Sequence, residues 1–183
     1  MLETLDADTE EQAPRNETLK ALEHQGSGAD AAERMLALIG HSRFFSDFTR
    51  NDIEMLAREM LLYRAQPGQT MIREGDVDDF MLLVIEGRVD IMKRDRHGMR
   101  QPMTSVGPGA TLGEMSMIDG EPRFATCIAA ETTTFATLSR DAMVKIIVDE
   151  PSLGTKLLIK LVTLLSARLR LTSQNLVSQM VGP

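Results

Sequence analysis

The chain has 183 residues, carries a formal net charge of −7 and is 43% apolar, enough for one domain with a real core plus extensions. The negative balance and the lack of any basic run argue against a nucleic-acid-binding surface, which needs clustered Lys and Arg. The single cysteine, Cys127, permits no intrachain disulfide, and no stretch reaches the ~18 apolar residues of a membrane span. With no apolar run in the first 30 residues to act as a signal peptide, the expected setting is cytoplasmic and reducing. His24, His41 and His97 show no metal-ligand spacing.

Residues 1–28 hold Glu3, Asp6, Asp8, Glu10 and Glu11 and end in Gln25-Gly26-Ser27-Gly28. This composition predicts an acidic, disordered tail. Within it, Asn16 to Glu23 has the pattern of a short helix with Asn16 as cap and Gly26 as stop. From Ala29 a helical period places Met35, Leu36, Leu38 and Ile39 on adjoining faces, and Gly40 ends it. Phe44-Phe45-Ser46-Asp47-Phe48 reads as an apolar turn. Thr49 then caps a helix from Arg50 to about Met60, with Ile53, Leu56, Ala57 and Met60 on one side.

After Leu61 the period changes. Residues 61–65, 70–72, 80–86, 88–94, 101–106, 125–130 and 133–138 read as short strands, separated by Pro67-Gly68, Gly75-Asp76, Glu86-Gly87, His97-Gly98 and Gly107-Pro108-Gly109. This punctuation fits a jelly roll or a sandwich, and spacing alone does not choose between them. Ser139 caps a helix from Arg140 to Asp149. Pro151 starts another that continues to about Met180, about 40 Å at the rise of an α-helix. On it, Leu158, Val162, Leu165, Leu169, Thr172 and Leu176 form a coiled-coil seam, while Leu157, Leu161, Leu164 and Leu171 lie on a neighbouring face. One face can pack on the strands, and a second copy of the helix is the simplest cover for the other. The chain thus divides into the tail 1–28, a body 29–150 and the long helix 151–183, with a homodimer expected through that helix.

One stretch carries the chemistry: Leu112-Gly113-Glu114-Met115-Ser116-Met117-Ile118-Asp119-Gly120-Glu121-Pro122-Arg123-Phe124-Ala125-Thr126. Gly113 lets backbone approach a ligand, and the next residues can form one helical turn with free N–H groups. Arg123 supplies a permanently charged planar fork for a phosphate, and Glu114 an acceptor for a sugar hydroxyl. The combination reads as a cradle for a phosphorylated ribose. No Ser-His-Asp or Cys-His pairing and no nucleophile motif stands out, so an enzyme is not expected.

The Gly113-Glu114 pair, the Pro122-Arg123-x-Ala125-Thr126 run, the turn residues Pro67-Gly68, Glu74-Gly75-Asp76 and Gly87, and the long terminal helix resemble the cyclic-nucleotide-binding domain. That sensor domain is shared by bacterial catabolite-activator regulators, kinase regulatory subunits and gated channels. The resemblance runs from about Phe44 to about Met180. It implies an α+β, mainly β fold: a jelly-roll barrel flanked by N-terminal helices and a long C-terminal helix. It also implies that Arg123 pairs with a cyclic phosphate and Glu114 with the ribose 2′-hydroxyl, while backbone N–H groups at Gly113–Met115 and near Phe124 and Ala125 complete the cradle. Ala167-Arg168-Leu169-Arg170-Leu171-Thr172-Ser173 is similar to the activators' dimer helix, which makes Thr172 and Ser173 candidate adenine readers across a two-fold interface. The implied function is a non-enzymatic cAMP sensor that regulates a protein partner through its C-terminal helix; cGMP and cyclic di-GMP are the weaker ligand candidates. Phe124 departs from the family's small or hydroxyl residue. It offers nothing to a guanine amino group, and its bulk raises the alternative of an interaction scaffold that no longer binds nucleotide. The activators continue into a helix-turn-helix domain whereas this sequence ends at Pro183, so DNA binding is not expected.

Overall fold

The computed structural model describes residues 17–40 and 42–180, and only the backbone at 175, 176 and 178–180. Among the described residues there are nine strands: β1 Glu23–Ser27, β2 Leu61–Ala65, β3 Thr70–Ile72, β4 Phe80–Glu86, β5 Val89–Arg94, β6 Arg100–Val106, β7 Thr111–Leu112, β8 Thr126–Ala129 and β9 Thr133–Ser139. They form two antiparallel sheets, β1-β2-β9-β4-β7 and β3-β8-β5-β6. The helices are α1 Glu17–Lys20, α2 Ala32–Leu36, α3 Arg50–Arg58, α4 Glu114–Asp119, α5 Arg140–Asp149 and α6 Pro151–Met180. This is the expected mainly β jelly roll with flanking helices.

β4 shows why two cores form. Its Phe-Met-Leu-Leu-Val-Ile run is buried throughout, so both faces of the strand are covered. Phe80, Leu82 and Val84 point between the sheets and meet Ile72, Val89, Cys127 and Phe135. Met81, Leu83 and Ile85 point the other way, into a cluster with α3, α5, α6 and the Phe44–Phe48 turn. Phe45 is fully buried there, edge-on to Phe44 and Phe48 at ring separations of 5.2 and 5.5 Å.

The start of the described chain departs from the composition-based expectation. Residues 17–28 pack on the fold rather than forming a tail. Leu19 and Leu22 are buried in the inter-sheet core, and β1 pairs antiparallel with β2. Gly26 is not a helix stop; it sits at the irregularity in that pairing with φ +109°. Residues 1–16, including the Asn16 cap, lie outside the described residues. The helix expected from Ala29 is broken into a 3-10 turn, Gly28–Ala31, and the short α2. Gly28 explains the join: a Cβ there would lie 2.5 Å from the Ala57 carbonyl oxygen.

Thr49 caps α3 as expected, in a reciprocal box with Asp52. Asp52 also accepts from Lys156 Nζ at 2.5 Å, and Lys160 donates to Ser46 Oγ at 2.7 Å and pairs with Asp47. These contacts and the buried Leu153, Leu157 and Leu161 fasten the first half of α6 to α3 and the aromatic turn. The second half runs free of that core. Leu171, which shares a face with Leu157, Leu161 and Leu164, is 59% exposed because the core ends near Leu164. No helix among the described residues is long and apolar enough to cross a membrane.

Candidate ligand-binding site

β7 ends at Leu112, and Gly113 turns the chain into α4 with φ +80°, a conformation that favours glycine. The glycine is needed twice over, since a Cβ would stand 2.6 Å from Arg123 Nη1 and 2.9 Å from Ile72 Cδ1. Gly120 closes the helix, also left-handed, at φ +78°. Arg140 donates to the Met117 and Ser116 carbonyls at 2.6 and 3.1 Å, which fixes the C-terminal end of α4.

Arg123 is brought to this turn by the β3–β4 connection. Its N–H donates to the Asp76 carbonyl at 2.8 Å, and its own carbonyl accepts from Gly75 N–H at 2.9 Å. The guanidinium is only 2% exposed as a residue, lies 4.3 Å from the Phe80 ring centroid, and donates to the Gly113 carbonyl at 2.8 Å. Its Nε is 3.4 Å from Asp78 Oδ2. Burial pulls its pKa down from the ordinary arginine value, and the Asp78 charge opposes that shift. Glu114, the first residue of α4, is fully buried. One of its oxygens meets Arg168 Nη1, and Arg168 Nη2 donates to the Thr111 carbonyl at 2.7 Å.

Two side-chain atoms here have no partner among the described residues: Arg123 Nη2 and Glu114 Oε2, both buried. A buried unpaired donor and a buried unpaired acceptor each cost on the order of 1–3 kcal/mol. Arg123 lies on the Gly113 carbonyl and Glu114 follows Gly113, so the Gly113 turn offers one free donor for an anion and one free acceptor for a hydroxyl.

Gly113, Glu114 and Arg123 are thus brought together at the start of α4. Met115 is in the first turn of α4 and 43% exposed, and Ala125 is half-buried beside Arg123. Phe124 is 54% exposed, with Lys93 over its ring. Thr172 and Ser173 are exposed on α6 and are not brought to Arg123 within the chain; the Thr172 hydroxyl donates back to the Arg168 carbonyl at 3.0 Å. The residue that sequence reasoning missed is Arg168. Its signal was present: after Leu157, Leu161 and Leu164 the same helical stripe continues at position 168, and a cation in an apolar stripe marks a specific partner. Asp78 and Thr111 carried no comparable signal.

A jelly roll whose glycine turn, buried arginine and buried glutamate converge on one short helix has the makings of an anion-binding domain. The chain belongs to the cyclic nucleotide-binding domain family, whose model matches residues 63–150. A cyclic nucleotide-binding domain from Methylobacillus flagellatus superposes with a TM-score of 0.80 at 36% identity, covering 92% of this chain and 95% of that one. The catabolite activator protein of Thermus thermophilus superposes at 0.68 with 25% identity, covering 74% of this chain and 62% of that one. The chain is also 27% identical, over 139 residues, to a CRP-like cAMP-activated global transcriptional regulator of Mycobacterium tuberculosis. That match covers 76% of this chain and spans 60% of the regulator's length.

Proposed function

We propose that this chain is a non-catalytic cAMP sensor whose ligand joins the Gly113–Arg123 segment to α6 and so regulates a protein partner. The observation that carries the reading is the pair of buried, partnerless atoms, Arg123 Nη2 and Glu114 Oε2. A cyclic phosphate satisfies the first and a ribose 2′-hydroxyl the second. The backbone around Gly113, Met115, Phe124 and Ala125 supports the cradle. The similarity to a cAMP-activated regulator supports adenine over guanine, as does the lack of a hydroxyl at Phe124. Glu114 already holds Arg168, so a ligand at Glu114 acts on the contact by which α6 touches the site, and its free energy shifts the helix arrangements. Calorimetric titration with cAMP, cGMP and cyclic di-GMP tests this: heat with cAMP at the lowest concentration is expected, and no heat with any of the three overturns it.

The same reading includes a homodimer through α6. Leu158, Val162 and Leu169 are 41, 62 and 69% exposed on the seam, and Thr172 follows on it. Leu176 lies outside the described side chains. A second copy of α6 covers this stripe and brings Thr172 and Ser173 of each protomer toward the other's nucleotide. Leu165→Asp with Leu169→Asp places charge in the seam. Light scattering is expected to give a dimer for the wild type and a monomer for this variant; an unchanged mass, or a monomeric wild type, rules the seam out.

A further inference from the structure

Phe124 is an exposed aromatic side chain with an ammonium, itself held by two hydrogen bonds, over one ring face. Lys93 Nζ lies 4.3 Å from its ring centroid, donates to the Phe124 carbonyl at 2.6 Å, and donates to Glu74 Oε1 at 2.8 Å. The three donors of the ammonium are thereby directed at a carboxylate, a carbonyl and a π-face. The other Glu74 oxygen accepts the Arg94 N–H at 3.0 Å, and Glu74 N–H donates to Thr126 Oγ1 at 3.1 Å. The clamp therefore ties β5 to the residue after Arg123 and to the start of β8. Lys93 and Glu74 side chains are 35 and 16% exposed, so solvent screens the pair less than a surface pair.

Position also matters. Val89 and Ile91 on β5 face the inter-sheet core, and Lys93 continues that inward row toward the end where Arg123 sits. Resting on the sensor reading above, we infer that Lys93 is a positioning residue: it fixes the Phe124 ring as the stacking platform for the base of a nucleotide whose phosphate is held by Arg123. One ring face carries the ammonium. The ring as a whole remains 54% exposed, which leaves surface for a base. A ring already immobilised loses little freedom when a base stacks on it, so the gain appears in affinity. A two-ring purine gains more from such a surface than a one-ring pyrimidine.

The test is the ratio of affinities for cAMP and cyclic CMP, by calorimetry, in the wild type and in Lys93→Met, Lys93→Arg and Phe124→Ala. The wild type is expected to favour cAMP, and Lys93→Met to narrow that preference by about tenfold. Lys93→Arg, which keeps a cation for the ring and donors for Glu74, is expected to retain most of it. Phe124→Ala is expected to match Lys93→Met, and the double variant to go no further. An unchanged ratio in Phe124→Ala, or in a Lys93→Met that keeps the wild-type circular dichroism, overturns the inference while leaving the sensor reading in place. If Lys93→Met does not fold, Phe124→Ala decides alone, because its ring is largely outside the core. A wild type that binds neither nucleotide overturns the sensor reading itself, and this inference with it.

Discussion

Arg123→Met is expected to lower cAMP affinity at least a hundredfold while leaving a folded protein. The guanidinium sits on the Gly113 carbonyl, and its buried Nη2 is free for an anion among the described residues. Two charge-assisted bonds to a phosphate, each on the order of 1.5–3 kcal/mol, correspond to roughly a hundred- to ten-thousandfold in affinity. The unliganded fold depends on the same side chain much less. Its ion pair with Asp78 is long, at 3.4 Å, its firm bond is to the Gly113 carbonyl, and it leaves one nitrogen unpaired. Methionine fills similar volume over the Phe80 ring without a buried charge. The expected loss of unliganded stability is about 1–2 kcal/mol, from the stranded Asp78 and Gly113 oxygens. Thermal melts separate the two effects. At a hundred times its dissociation constant a ligand stabilises the wild type by about 2.7 kcal/mol, and the variant should show no such shift at the same concentration. Undiminished affinity in Arg123→Met would place the phosphate elsewhere.

Much of this site was legible because its residues signal through backbone chemistry. Gly113 and Gly120 bracket a helix too short for hydrophobic periodicity to reveal, yet both adopt positive φ, the conformation glycine accommodates. Thr49 and Ser139 begin helices because their hydroxyls accept the N–H three residues on. The strands from Leu61 to Ser139 were readable from their turns, and their ends shifted by about one residue. β7 was not, since two residues carry no period. β1 was not, since Glu23-His24-Gln25-Gly26-Ser27 is polar and is held by main-chain pairing to β2, which composition does not encode. The anchoring of that segment comes from Leu19 and Leu22, two apolar residues in an otherwise polar run. On α6 the two apolar stripes were visible, but where the core stops was not. That limit is set by how far α3, α5 and the Phe44–Phe48 turn extend along it, so Leu161 is buried while Leu171 is exposed.

Arg168→Met is expected to show that α6 is held to the site by a charge rather than by packing. Glu114 is fully buried and Arg168 is 43% exposed, so the two partners of one ion pair have unequal alternatives. Removing Arg168 leaves a buried carboxylate without its cation, which in buried pairs costs about 3–5 kcal/mol; exposure of the arginine brings the expected cost to about 2 kcal/mol here. Removing the carboxylate instead, with Glu114→Gln, releases Arg168 to water and should cost less. The double variant Glu114→Gln with Arg168→Met strands no charge and should recover most of the stability lost in Arg168→Met. Urea unfolding of the four proteins measures this asymmetry, and equal small losses in both single variants would mean the pair does not hold the helix. Hydrogen exchange then locates the change. Leu153, Leu157 and Leu161, with Lys156 on Asp52 and Lys160 on Ser46, should keep the first half of α6 protected in Arg168→Met. Beyond Leu164, Arg168 reaches Glu114 and the Thr111 carbonyl, so protection should fall from there onward when Arg168 is removed. On the sensor reading proposed above, α6, held by packing in its first half and by Arg168 on Glu114 in its second, is the element that a ligand at Glu114 would bias.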